Sequence, residues 1–313
     1  ILLRDISGIM QLVAKEESKF FNEIAKIPRE SAVEVKGVVK KSNQAPNGVE
    51  VVIKEYKILN EAQTLPIPIV EKGDIITSLP KRLDYRSLDL HNLRTQSIFK
   101  IESEIAASFR RYFYENGFIE IQPPCVISSA SEGGTELFKV KYFEKDAYLA
   151  QSPQLYKQMC VTALEKVTMI VPVWRAEKHN TTRHLNESRQ MDIEMAFADE
   201  FTVMEQLSKS VQYIIKNVIE KCERELNILN IKLKVPKDKY ITYGETIKLL
   251  KKNGLKLEDG DDIPQEGERK LCELFKDVII FVHDWPLKIK PFYIMPKTLD
   301  KNEKISRGFD AIY

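Results

Sequence analysis

The segment VWRAEKHNTTRHLNESRQMDIEMAF, from Val173 to Phe197, carries many charges on the pattern of a β-hairpin. Arg175 and Glu177 are two residues apart, so they share one face of the first strand. The returning strand alternates between a charged face and an apolar face, formed by Asp192 and Glu194 and by Met191, Ile193 and Met195 respectively. A solvated face of an antiparallel sheet shows the same alternation, and spacing alone leaves that alternative open.

The types of charge in this hairpin suit a nucleotide bound beside an amino acid. The guanidinium of Arg175 is a planar fork of donors that fits a phosphate, and Glu177 can accept from an amine such as that of adenine. Arg183 and His184, beyond the turn, are placed to reach the distal phosphates, and Asp192 can bind an ammonium group. The pattern therefore predicts a site for a nucleoside triphosphate and an amino-bearing carboxylate.

Two further segments fit such a ligand. SASEGGTELF contains Ser131 and Glu132 followed by two glycines, which permit a mobile loop, although a plain surface turn has the same composition. LAQSPQLYKQ ends a strand and begins a helix, where Gln154 and Lys157 are three residues apart and share a helical face. A solvated helix start is the alternative for the second segment.

The elements around these residues predict an α+β protein with two domains. Short strands at 1–70, interrupted by one amphipathic stretch, favour an OB-fold β-barrel, and 71–93 has the prolines and charges of a hinge. Residues 94–313 begin with a helix to Glu115, continue as strands joined by hairpins, and include a second helix over about 202–226. Hairpin connections predict a mainly antiparallel sheet, and no GxGxxG or GKS/GKT motif favours a Rossmann or P-loop fold.

Composition limits the class of protein. The 313 residues carry 48 basic and 46 acidic side chains, a formal charge of +2, so any nucleic acid must be met by local patches. The four cysteines contain no CxxC pair, which speaks against a zinc site or a disulfide framework. No apolar run approaches the roughly 18 residues of a membrane span, so we expect a cytoplasmic protein without a membrane partner. The apolar first and last residues predict that the natural protein extends beyond both ends.

These motifs resemble the class II aminoacyl-tRNA synthetases, and in particular the aspartyl-tRNA synthetases of the eukaryotic and archaeal kind. The resemblance rests on FIEIQPP, SEGGTELF, YLAQSPQLYKQM and VWRAEKHNTTRH with MDIEMAF, and it covers essentially the whole chain. It implies an OB-fold anticodon-binding domain and a catalytic domain built on an antiparallel sheet flanked by helices. The implied activity is ATP-dependent formation of aspartyl-adenylate, followed by transfer of aspartate to the 3′ end of tRNA(Asp).

The resemblance also implies roles for individual residues. Arg175 would bind the α-phosphate, Glu177 the adenine amine or the tRNA end, and Arg183 with His184 the outer phosphates. Aspartate would be held by Asp192 at its ammonium, by Lys157 at its side-chain carboxylate, and by Gln154, Ser131 and Glu132. The remaining implied contacts are tRNA at Gln11, Glu50, His179 and Thr181, Mg²⁺ at Asp310, and a homodimer interface at Pro124.

Two departures from the family pattern carry expectations of their own. Ser188 stands where the family has a phenylalanine stacked on adenine, so either Arg189 stacks instead or this region is disordered or displaced. The third motif of the family is absent before Tyr313, and we therefore expect the 313-residue chain by itself not to form aspartyl-adenylate at a useful rate. The alternatives are a non-catalytic RNA-binding relative, or an asparaginyl- or lysyl-tRNA synthetase.

Overall fold

The computed structural model describes residues 1–45, 48–69, 77–129, 137–176, 178, 185–298 and 304–313. The chain divides into two compact units, Ile1–Asn92 and Leu93–Tyr313. Within the described residues, no helix combines the length and the apolar character that a membrane crossing requires.

The first unit is built on a four-stranded sheet. Its elements are β1 (Leu2–Asp5), β2 (Gly8–Val13), α1 (Phe21–Ile24), β3 (Ala32–Lys41) and β4 (Val49–Asn60). The strand order is β1-β2-β4-β3, with β2 and β4 parallel and the other two pairs antiparallel. Leu12, Ile24 and Ile53 form its buried core. The amphipathic stretch expected near 17–27 contains only the single helical turn α1, and Phe20 and Ile27 on either side of it also pack against that core.

Exposed and half-buried side chains alternate only in the first half of β3. A register shift between Lys36 and Gly37 interrupts the pairing with β4, and Val39 beyond it is 63% exposed. A Cβ on Gly37 would lie 2.4 Å from the carbonyl oxygen of Val52, so only glycine allows this close approach of the two strands. This bulge changes which side chains face the core, so Val39 does not continue the half-buried face of Val33 and Val35.

The stretch predicted to be a hinge contains two short helices, α2 (Leu79–Asp84) and α3 (Arg86–Asp89). Asp89 is 4% exposed and accepts from Arg82 Nε at 2.7 Å and from the guanidinium of Arg86. Charged contacts therefore stabilise these helices, which explains why the sequence shows no apolar periodicity there.

The second unit begins with α4 (Leu93–Glu115), followed by β5 (Ile119–Glu120), β6 (Val126–Ile127), β7 (Lys139–Tyr142), β8 (Lys145–Leu149), α5 (Gln154–Leu164), β9 (Lys166–Trp174) and β10 (Glu187–Met195). One sheet has the order β10-β9-β5, and a second has the order β6-β8-β7. The β9–β10 hairpin is antiparallel as expected, whereas β5 runs parallel to β9.

Two helices follow the hairpin where the sequence predicted one over about 202–226. α6 (Glu200–Lys221) starts at Asp199, whose side chain accepts from the Thr202 amide at 2.8 Å. It ends at Cys222, whose backbone leaves the helical region, and α7 (Glu223–Leu229) continues from there. α4 and α6 pack against the hairpin through an aromatic cluster of Phe109, Tyr112, Phe113 and Phe118.

The last part of the chain forms a third small sheet with two helices. Its elements are β11 (Lys237–Thr242), α8 (Tyr243–Lys252), α9 (Gln265–Leu274), β12 (Val278–His283), a 3₁₀ turn (Leu287–Ile289) and β13 (Asp310–Ile312). β12 is central and buried, with β11 parallel and β13 antiparallel to it. The sequence missed β11. After Pro286 the chain forms the 3₁₀ turn and a loop and not a further long strand, because prolines lack the backbone donor that a strand ladder needs.

Candidate functional site

The β9–β10 hairpin has two different faces, as the sequence predicted. Asp192 pairs in register with Met169 and Glu194 with Val167, and paired residues of an antiparallel ladder project to the same side. Val161 of α5 packs on that side of β9. On the other side, Ile170, Ile193 and Met195 pack against the aromatic cluster of α4. Because α5 covers the side that carries Asp192 and Glu194, the charged face is not simply a solvated one.

An ionic cluster joins α5 to this face of β10. Lys157 Nζ lies 3.1 Å from Asp192 Oδ2 and 3.6 Å from Glu194 Oε2, and the Lys157 side chain is only 11% exposed. Gln154 Nε2 lies 3.4 Å from the same Glu194 oxygen. The three-residue spacing of Gln154 and Lys157 on one helical face is therefore confirmed, and both side chains face the strand that carries Asp192.

The charges of this cluster are complementary to those of a free amino acid. One cation and two carboxylates, each carboxylate side chain about a fifth to a quarter exposed, can be matched by a ligand with both an ammonium and a carboxylate. Partial burial strengthens such pairs relative to those at the surface. The sequence had placed Glu194 on the face of Asp192 but gave it no role. Its contact with Lys157 depends on α5, which spacing within the hairpin cannot reveal.

Arg175 lies at the far end of the same face. Its amide donates to the carbonyl of Asn186 at 3.1 Å, which continues the ladder one residue beyond Trp174. Arg175 follows Val173 by two residues and so projects to the side of Asp192, and its side chain is half-buried. Asn186, just before β10, precedes Asp192 by six positions, about 20 Å of extended chain. An elongated ligand that joins a phosphate to an amino acid would lie along this face.

Ser188 and Arg189 lie on opposite faces of β10. Ser188 pairs in register with Val173, so it is on the face of Asp192, and it is exposed. Arg189 Nη1 lies 2.7 Å from Glu187 Oε1 on the other face. Stacking of Arg189 in place of the expected phenylalanine was therefore a wrong expectation, because the two-residue period of the strand directs its side chain away.

Seven residues predicted for the site lie outside the described residues: Ser131, Glu132, Glu177, His179, Thr181, Arg183 and His184.

Asp310 lies on β13, in a different sheet from the ionic cluster. Its Oδ2 is 2.8 Å from Lys290 Nζ, which also sits 3.8 Å from the centre of the Trp285 ring. Among the residues with described positions, no group of three or more His, Cys, Asp or Glu side chains could hold a metal ion. A lone carboxylate already paired with a lysine does not constitute a preformed Mg²⁺ site.

The other predicted contact residues lie near the surface. In the first unit Gln11 on β2 pairs in register with Glu50 on β4, and Gln11 Nε2 donates to Glu50 Oε2 at 3.1 Å. In the second unit Pro124 is exposed between β5 and β6. Two apolar side chains near it in sequence, Ile119 and Val126, are 47% and 46% exposed.

Comparisons with known proteins match both units. A family model described as tRNA synthetases class II (D, K and N) matches residues 78–313, and one described as an OB-fold nucleic acid binding domain matches residues 1–59. The aspartate–tRNA(Asp/Asn) ligase of Methanopyrus kandleri is 43% identical over 321 residues, covering 100% of this chain and 73% of the relative. The aspartate–tRNA(Asp) ligase of Pyrococcus furiosus is 43% identical over 324 residues, with the same coverage of each chain.

A solved structure gives the same result for the fold. The asparaginyl-tRNA synthetase of Pyrococcus horikoshii complexed with asparaginyl-adenylate has a TM-score of 0.87 and 33% identity, and the match covers 99% of this chain and 72% of that one. The predicted α+β fold, an OB-fold followed by a synthetase domain with antiparallel-rich sheets and flanking helices, is thereby confirmed. The match over residues 78–313 and the 43% identity to these relatives show that the chain belongs to the class II tRNA synthetases of the aspartate, lysine and asparagine group.

Proposed function

We propose that this protein is an aspartate–tRNA ligase, which activates L-aspartate with ATP to aspartyl-adenylate and transfers the aspartyl group to the 3′ end of tRNA(Asp). The ionic cluster of Lys157, Asp192 and Glu194 is the observation that carries the proposal, because it offers a partly buried cation and a carboxylate within 3.1 Å of each other. Its curated relatives at 41–43% identity are named as aspartate–tRNA ligases.

The chemistry needs positioning more than proton transfer. The α-carboxylate of aspartate is itself the nucleophile and attacks the α-phosphorus of ATP, and pyrophosphate leaves on the opposite side. No protein base is required, so the work of the site is to align the two substrates and to neutralise charge on the phosphate. Arg175 is the described residue suited to the α-phosphate, since its guanidinium can bind two oxygens at once.

The pocket also favours aspartate over the other two amino acids used by this family. Lys157 would pair with the side-chain carboxylate of aspartate and Asp192 with its ammonium. The neutral amide of asparagine would give Lys157 a weaker acceptor, and the ammonium of lysine would meet a like charge. These charges therefore support specificity for aspartate best.

Further parts of the proposal rest on the family resemblance. Glu177, Arg183 and His184 would bind ATP, and Ser131 and Glu132 would help to close over aspartate. ATP would enter as a substrate with Mg²⁺, and Asp310 could serve that ion only after Lys290 releases it. Pro124 would lie at a homodimer interface, and the protein would act in the cytoplasm.

The division of labour between domains is part of the same proposal. Residues 1–70 would bind the anticodon, with Gln11 and Glu50 as base contacts, and 71–93 would connect them to a catalytic domain at 94–313. His179 and Thr181 would contact the acceptor end of the tRNA. The side chains of Gln11 and Glu50 are joined by a hydrogen bond, so a base that binds one of them would also act on the orientation of the other.

Charging of tRNA transcripts tests the proposal. The protein at its natural length should attach labelled aspartate to a tRNA(Asp) transcript, and an Arg175→Lys variant should lose most of this activity because lysine cannot bind two phosphate oxygens in parallel. A parallel reaction with tRNA(Asn) determines whether that tRNA is charged as well. Binding of tRNA without any transfer of aspartate would instead favour the non-catalytic alternative.

A further inference from the structure

In the proposed amino-acid site, the two main ligand-binding groups already form an ion pair with each other. Lys157 and Asp192 are the groups proposed to bind the side-chain carboxylate and the ammonium of aspartate, yet they bind each other at 3.1 Å. Their side chains are 11% and 21% exposed, so water replaces little of this contact when it breaks. Any ligand that takes one member of the pair must therefore compete with the other.

A ligand with both charges can replace this internal pair without leaving a charge alone. Its carboxylate takes Lys157 while its ammonium takes Asp192, so one ion pair is exchanged for two. A ligand with only a carboxylate takes Lys157 and leaves Asp192 partly buried beside no cation, which is unfavourable. A ligand without the ammonium should therefore lose more binding free energy than the single contact of that ammonium with Asp192 contributes.

We propose that the Lys157–Asp192 ion pair closes the amino-acid site to other ligands. It is replaced only by a ligand that presents both a carboxylate to Lys157 and an ammonium to Asp192. The inference rests on the proposed function and adds a mechanism of specificity to it. Glu194 has a separate part, since its Oε2 lies 3.6 Å from Lys157 Nζ and 3.4 Å from Gln154 Nε2. It holds the lysine in place while Asp192 turns to the ligand.

Two ligands and two variants test this closure. The ligands are aspartate and succinate, which is aspartate without its amino group, and binding to the protein at its natural length is measured by calorimetry. The variants Asp192→Asn and Glu194→Gln each remove one negative charge next to Lys157. Both variants lose the same charge, but in the unmodified protein only Asp192, at 3.1 Å, lies within hydrogen-bond distance of Lys157, whereas Glu194 lies at 3.6 Å.

Asp192→Asn should change the two affinities in opposite directions. Aspartate should bind at least about tenfold more weakly, because its ammonium loses a charged partner. Succinate should bind about tenfold more tightly than to the unmodified protein, because no internal pair has to be broken. Glu194→Gln should tighten succinate by much less, about twofold, since it only removes a nearby like charge.

Three results would overturn the closure: succinate affinity unchanged in Asp192→Asn, succinate affinity reduced in it, or equal gains in both variants. Equal gains would mean that general charge repulsion, and not the ion pair, excludes succinate. Failure of the unmodified protein to bind aspartate at all would remove the proposed function, and this inference with it. Failure of the closure and failure of the proposed function can therefore be told apart, because the second shows in the unmodified protein before any variant is compared.

Discussion

Replacement of Lys157 by methionine distinguishes recognition of aspartate from binding of ATP. Methionine keeps most of the apolar length of the side chain on α5 and removes the charge at its end. In the unmodified protein that charge lies 3.1 Å from Asp192 and 3.6 Å from Glu194. The proposed function adds a contact with the carboxylate of aspartate, so the variant should fail in aspartate recognition and retain ATP binding.

The size of the effect follows from the type of contact. A hydrogen bond to a charged group contributes about 1.5–3 kcal/mol, which corresponds to a roughly 10- to 150-fold rise in the KM for aspartate. The KM for ATP should change less than about twofold, because Lys157 has no predicted contact with the nucleotide. The loss of a cation between two partly buried carboxylates should also lower the free energy of unfolding by about 2 kcal/mol.

Aspartate-dependent ATP–pyrophosphate exchange measures both constants, and thermal unfolding measures the stability. Lys139→Met is the matched control: Lys139 pairs with Asp146 at the shorter distance of 2.7 Å, but both side chains are more than half exposed. Water and salt screen such a pair, so its loss should leave the KM for aspartate and the unfolding midpoint nearly unchanged. Equal rises in the KM for aspartate and for ATP in Lys157→Met would refute the role of Lys157 in specificity.

Three further changes test other parts of the structure. Gly37→Ala places a Cβ 2.4 Å from the Val52 carbonyl oxygen and should destabilise the first unit by about 1–3 kcal/mol in urea unfolding; no change would mean that β3 and β4 are not in close approach. Hydrogen bonds from Lys221 and Ser108 lower the pKa of Glu104, so its ionised form stabilises the fold above the unfolded-state pKa, and this contribution is lost as the pH falls through the lowered value. Glu104→Gln should accordingly lower the unfolding midpoint at pH 7, with a difference from the unmodified protein that closes in acid; a constant difference would contradict this. Gln11→Ala should weaken binding of tRNA(Asp) and leave aspartate-dependent exchange intact, whereas a loss of exchange would argue against an anticodon role.

The sequence predicted those features that depend on local periodicity. The two faces of β10 follow from a period of two residues, and the shared face of Gln154 and Lys157 follows from a helical spacing of three. The predicted bounds of α4, 94–115, agree with the observed Leu93–Glu115 to within one residue. Its apolar stripe is long, and Asn116-Gly117 marks its end.

Features that depend on contacts distant in sequence could not be predicted in this way. Glu194 meets Lys157 only because α5 packs on the hairpin, 37 positions earlier in the chain. Strand β11 lies at a sheet edge and was missed because its sequence, KDKYIT, begins with three consecutive charged residues and lacks both an apolar run and a clear alternation.

Amino-acid-dependent ATP–pyrophosphate exchange, run with aspartate, asparagine and lysine in parallel on the protein at its natural length, tests the central claim most directly. The ionic pocket of Lys157, Asp192 and Glu194 predicts exchange with aspartate and at least about a hundredfold less with the other two amino acids, as expected when a charged partner is lost or opposed. Exchange with asparagine or lysine that equals or exceeds exchange with aspartate would contradict the assignment of this pocket.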